Sequence, residues 1–164
     1  MDENKTPEQH EQEREGLLAH EDDLLQGLLA AAEDTEEDVV PVQIVRQGKV
    51  ALQFRIRPLR DYEYEECREQ VTTYRRNAFG VRVPEETDPV RFRALLIYKA
   101  TVEEDRKRLW DNKAAWERLK VMSGPDLIDR VLRAGEKDAI VRKIDEISGY
   151  GADVERKMEE LAKN

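Results

Sequence analysis

The chain has 164 residues and a net charge of −9, with 40% of residues charged and 39% hydrophobic; that suffices for one domain with a core and is short for two. A single cysteine, Cys67, excludes an internal disulfide and a cysteine metal cluster and fits a reducing compartment. No apolar run reaches the roughly 18 residues of a membrane span, and the acidic start is the opposite of a secretory leader.

The charge is unevenly placed. Residues 1–38 hold 14 acids and two bases, Lys5 and Arg14, a charge of −12; residues 39–164 hold 26 bases and 23 acids, a charge of +3. A like-charged block resists compaction. Residues 1–15 are therefore expected to be disordered. Residues 16–32 carry Leu17, Leu18, Leu24, Leu25, Leu28 and Leu29 before Ala30, Ala31 and Ala32, which predicts an amphipathic helix. Glu21 and Asp22 interrupt its stripe, and a lone helix of this length is marginal in water. It needs its own domain or a partner to pack on. Residues 33–38 read as an acidic linker.

From residue 40 to 59 the period changes to two. Val42 and Ile44, then Val50, Leu52, Phe54 and Ile56, alternate with other side chains around Gln47-Gly48. This predicts a β-hairpin; pairing Ile44 with Leu52 would fit a short Gly-containing loop, but the sequence leaves the register open. A helix follows over residues 61–76, capped by Asp61, with Tyr64, Cys67, Val71 and Tyr74 on one face. Residues 77–87, with Gly80 and Pro84, read as a loop. Asp88-Pro89 starts a deeply buried helix through residue 102, and residues 110–119 form a short one bearing Trp110 and Trp116. Ser123-Gly124-Pro125-Asp126 starts another, with Leu127, Ile128, Val131 and Leu132 as its stripe and Gly135 as its end. Residues 136–147 follow with Ile140, Ile144 and Ile147. Gly149-Tyr150-Gly151 breaks the chain, where Tyr150 either plugs the core, the favoured role, or docks a partner. A last amphipathic helix over residues 152–162 carries Val154, Met158 and Leu161.

The fold class expected is α+β, mostly α: an N-terminal β-hairpin packed on a bundle of about five to six helices, preceded by a largely disordered acidic arm. Three regions result. Residues 1–38 are the arm with its leucine-rich helix, residues 39–151 the globular domain, and residues 152–164 the C-terminal helix.

Catalytic chemistry finds little footing. The histidines, His10 and His20, both lie in the arm, and the serines are Ser123 and Ser148, so a Ser-His-Asp arrangement within the domain is excluded. His20 beside Glu21, Asp22 and Asp23 reads as a solvated histidine rather than a metal site. Cys67 sits on an apolar stripe and reads as core. No phosphate-binding glycine loop occurs, and carboxylate pairs such as Glu65-Glu66 and Asp145-Glu146 are expected by chance in so acidic a chain. Neither an enzyme nor a cofactor site is expected. Arg55, Arg57, Arg75, Arg76, Lys107 and Arg108 could line a nucleic-acid surface, but a domain charge of +3 is small for phosphate binding.

Three stretches carry a family resemblance: Phe54-Arg55-Ile56-Arg57-Pro58-Leu59 running into Asp61-Tyr62-Glu63-Tyr64-Glu65-Glu66-Cys67; residues 96–110, LIYKATVEEDRKRLW; and residues 126–151, DLIDRVLRAGEKDAIVRKIDEISGYG. Over roughly residues 40–151 the chain resembles tail assembly chaperones of long-tailed bacteriophages and phage-like elements of Gram-positive hosts. Similar chains often have Ser or Thr where Arg60 stands, so Asp61 is expected to cap the helix here. The resemblance implies a protein of the bacterial host's cytoplasm that binds the tape measure protein, keeps it soluble, recruits tail tube protein and is absent from the mature virion. No membrane role is implied, and nucleic acid is not an expected partner. Candidate partner-binding residues are Leu24, Leu25, Leu28 and Leu29, with Val154, Met158 and Leu161, serving a client or self-association. The alternatives are a nucleic-acid-associated phage regulator with an acidic masking arm, and a minor structural tail component.

Overall fold

The computed structural model describes residues 6–33 and 36–163. The chain divides into two units, Met1–Thr35 and Glu36–Asn164, which are taken separately.

Among its described residues, the first unit holds one helix, α1 (Pro7–Ala32). It begins nine residues before the expected start at Gly16, so the disorder expected for residues 7–15 is not found; residues 1–5 lie outside the described residues. The local reasons are plain. Pro7 occupies the first helical position, where its missing N–H is no loss. The Gln9 side chain accepts a hydrogen bond from the Thr6 backbone N–H at 3.0 Å. The Glu and Gln residues that follow are good helix formers. No residue of α1 is buried.

The second unit opens with the expected hairpin, β1 (Val40–Arg46) and β2 (Lys49–Ile56), paired antiparallel with Ile44 opposite Leu52. Gln47 and Gly48 both take positive φ, as a two-residue turn matched to strand twist requires. Val42, Ile44, Phe54 and Ile56 point inward and are buried.

Helix α2 (Asp61–Val71) is shorter than expected. Its apolar spacing runs on to Tyr74, but Thr72, Thr73 and Tyr74 prefer extended backbone. They form β3 (Thr72–Arg76), which pairs with β4 (Arg82–Thr87) as a second hairpin. The expected loop over residues 77–87 is thus largely strand; Pro84 is accommodated beside a register shift on this two-stranded ribbon. The α2 cap also differs. Arg60 occupies it, and the Glu63 carboxylate accepts the Arg60 backbone N–H at 2.9 Å. Asp61 is the first helical residue.

The core helix α3 (Pro89–Ala100) is capped by Asp88. One turn, α4 (Glu103–Asp105), then runs into a π-type turn, Arg106–Trp110. Helices α5 (Lys113–Leu119), α6 (Gly124–Val131) and α7 (Ala134–Asp145) follow. Gly135 lies in the first turn of α7 rather than ending α6, which stops at the extended Leu132. A second π-type turn, Glu146–Tyr150, leads to α8 (Ala152–Ala162). The hairpin β1–β2 lies on about six helices. Fully buried Phe54, Ile56, Leu96, Ile97, Trp110, Ile128 and Ile144 form the centre. The Phe54 and Trp110 rings meet edge-on at 5.3 Å, and Trp110 Nε1 donates to Thr101 Oγ1 at 3.0 Å.

Candidate functional site

The apolar surface lies chiefly at the two ends of the chain and on the β3–β4 hairpin. Leu24, Leu25, Leu28 and Leu29 repeat at one- and four-residue intervals, so α1 carries them on one face, and all four are exposed. On α8, Met158 and Leu161 are exposed and Val154 is half-buried. Spacing finds these residues because helical periodicity records them.

Another exposed apolar residue escaped the sequence reading. Phe79, at the β3–β4 turn, is 89% exposed. Tyr150 is exposed too, contrary to the expected core role. Gly149 takes φ +98° within the π-type turn and leaves Tyr150 edge-on to Tyr64 at 5.7 Å. Tyr64 is the buried ring, its hydroxyl donating to Asp145 Oδ1 at 2.7 Å. Single residues at turns leave no periodic trace; the only hint was an aromatic among glycines.

Grooves among the described residues of this unit include two with apolar lining. One of about 480 Å³ lies between α2, α3 and α7 and is bordered by Tyr64, Phe92, Leu96, Val141 and Tyr150. Another of about 420 Å³ runs between β1 and α7.

The basic residues considered for nucleic acid are mostly engaged. Arg55 Nε meets Asp105 Oδ2 at 3.0 Å, and its Nη2 meets Glu104 at 3.1 Å. Arg57 pairs with Glu63 at 2.6 Å and Lys107 with Glu103 at 2.7 Å. Hydrogen bonding to Arg55 holds the Asp105 carboxyl below its ordinary value. For Glu63, burial pushes upward, but bonds from Arg57 and the Arg60 N–H outweigh it and the carboxyl is lowered. Cys67 is buried, and burial pushes its thiol up to about 11, which leaves it a core side chain with little thiolate. Among the described residues, no group of three or more His, Cys, Asp or Glu is placed to hold a metal ion, and no helix is long and apolar enough to cross a membrane.

These features define a small α+β module that pairs many of its charges and shows apolar side chains at its surface. Residues 25–163 match the model of the phage XkdN-like tail assembly chaperone proteins, and the chain belongs to that family. It is not an enzyme family. The match starts inside α1 and extends through α8, so it takes in Leu25, Leu28 and Leu29 and the whole α8 stripe. The resemblance over residues 40–151 had left both out. No curated protein matches the chain. The chain is also similar to the crystal structure of the protein yqbn, at 22% identity over 73% of this chain and 88% of that one, with a TM-score of 0.46.

Proposed function

We propose that this tail assembly chaperone binds the tape measure protein in the cytoplasm of the bacterial host, keeps that chain soluble, and helps recruit tail tube subunits before leaving the particle. The observation that carries the reading is the pair of exposed apolar helix faces inside the family match: Leu25, Leu28 and Leu29 on α1, and Met158 and Leu161 on α8. A long, apolar, helical client needs apolar surface that covers it reversibly, and amphipathic helices do this by laying one face in a groove. Each leucine fully buried contributes roughly 1.5–3 kcal/mol before the costs of ordering are subtracted. The acids around the α1 leucines keep that face soluble while it is empty.

The test is co-expression with the tape measure protein of the same phage. Leu25→Asp with Leu28→Asp abolishes co-purification and leaves thermal unfolding of the second unit unchanged. Undiminished co-purification removes α1 from the reading; loss only with Met158→Asp and Leu161→Asp transfers the role to α8. Recovery of the protein from purified virions would instead favour a structural tail component.

A further inference from the structure

The β3–β4 hairpin ends in a turn built to hold one aromatic side chain in solvent. Asn77 Oδ1 accepts the backbone N–H groups of Phe79 at 2.9 Å and Val81 at 3.0 Å. The Asn77 N–H donates to Val81 O at 2.9 Å, and the Gly80 N–H to Asn77 O at 3.0 Å. Gly80 takes φ +75°, and Arg76 Nη1 donates to its carbonyl at 3.1 Å. With its backbone bonded in this way, the turn loses little entropy when Phe79 docks. The tip is also basic. Arg75, Arg76 and Arg82 flank Phe79 along the chain, Arg82 lying over the Tyr74 ring and 3.5 Å from Glu69 Oε1, and residues 75–82 contain no acid.

The 480 Å³ groove between α2, α3 and α7 is its complement. Leu96, Phe92, Tyr64 and Tyr150 line it, with the Arg68 guanidinium 5.5 Å from the Phe92 ring centre. Its border carries Asp61, Glu65 and Asp145 against one base, Arg68, which is already paired with Glu65. An aromatic anchor flanked by arginines thus stands on the same unit as an aromatic groove bordered by carboxylates. Phe79 is 89% exposed, so its own copy does not fill the groove with it.

We propose that Phe79 of one copy seats in the α2–α3–α7 groove of a second copy, and that the exchange is reciprocal, giving a two-fold dimer. Reciprocal exchange closes the assembly at two copies, because each molecule offers one tip and one groove. The arginines of the tip then face Asp61 and Asp145 of the other copy, so association weakens as salt rises.

Sedimentation equilibrium of the full chain over a range of concentrations tests this. The wild-type chain dimerises. Phe79→Ala, a change at a side chain outside the core, raises the dimer dissociation constant about tenfold or more, and Tyr150→Ala weakens the dimer from the groove side. A photoreactive benzoylphenylalanine in place of Phe79, in a mixture of isotopically light and heavy chains, gives mixed-mass adducts on peptides containing Tyr64 or Tyr150. A wild-type chain that stays monomeric, a dimer indifferent to Phe79→Ala, or adducts confined to one copy overturns the proposal. So does a monomer whose Phe79→Ala variant loses the tape measure protein, which assigns the tip to the client.

Discussion

At Gly124 the backbone runs against the Tyr98 ring at Cδ2 and Cε2, so closely that a Cβ there would overlap the ring and come within 3.1 Å of Asp111 Oδ1. The Tyr98 hydroxyl donates to that same oxygen at 2.9 Å. Gly124→Ala must therefore displace the ring and its hydrogen bond together, and overpacking of this kind costs about 1–3 kcal/mol. A lower urea midpoint, followed by tryptophan fluorescence, is the expected result. Gly135→Ala, with nothing within 4 Å, is the control and should not lower the midpoint. The sequence shows Gly124 only as part of a helix start, because its neighbour Tyr98 is remote along the chain. Tyr150 was misread for a related reason: flanking glycines reveal that the chain turns, not which way the ring points. Cys67 was read correctly as core, since a weakly polar side chain on an apolar stripe has few other places to go.

Among the elements, those written by local rules were the legible ones. Asp88-Pro89 announces α3, and Asp88 Oδ1 accepts the N–H groups of Val90 at 3.0 Å and Arg91 at 3.1 Å. Asp88→Ala leaves both without that acceptor and should cost about 1 kcal/mol, seen as a lower urea midpoint; Asp88→Ser should restore most of it, and an unchanged Asp88→Ala midpoint would show that water replaces the cap. The β1–β2 hairpin was equally legible from Gln47-Gly48 and its period of two, but its register was left open: the pairing shifts between Ile44 and Val45, and alternation alone does not place such a shift. The end of α2 was not. Tyr64, Cys67, Val71 and Tyr74 keep helical spacing past the point where Thr72 pairs with Thr87, and a non-local strand partner overrode the local pattern. Tyr74 satisfies its ring differently, under the Arg82 guanidinium at 3.8 Å. The early start of α1 shows the converse: a negative charge block was taken for disorder, while the Thr6-Pro7-Gln9 start signal stood within it.

Across the second unit, arginine–carboxylate pairs fasten the first hairpin to the helices. Arg46 reaches Glu136 of α7 at 2.6 Å and the Val131 carbonyl of α6 at 2.7 Å. Arg55 reaches Asp105 of α4 and Arg57 reaches Glu63 of α2. All three carboxyls are lowered from their ordinary values: Asp105 and Glu136 chiefly by hydrogen bonds from Arg55 and Arg46, Glu63 by Arg57 and the Arg60 N–H against the opposing effect of burial. A carboxyl with a lower value folded than unfolded binds more protons in the unfolded chain, so its contribution to stability rises with pH through that interval. The contribution is complete above the ordinary carboxyl range, near pH 4, and is lost as pH falls through that range toward the lowered folded values. The arginines stay charged throughout, so the loss follows the acids alone. Urea midpoints should therefore be level from neutral pH down to the carboxyl range and fall steeply below it. Asp105→Asn combined with Glu136→Gln should lower the neutral midpoint and flatten the acid limb, because two of the titrating groups are gone. An acid limb as steep as the wild type's would place the titration elsewhere, in carboxylates that do not fasten the hairpin.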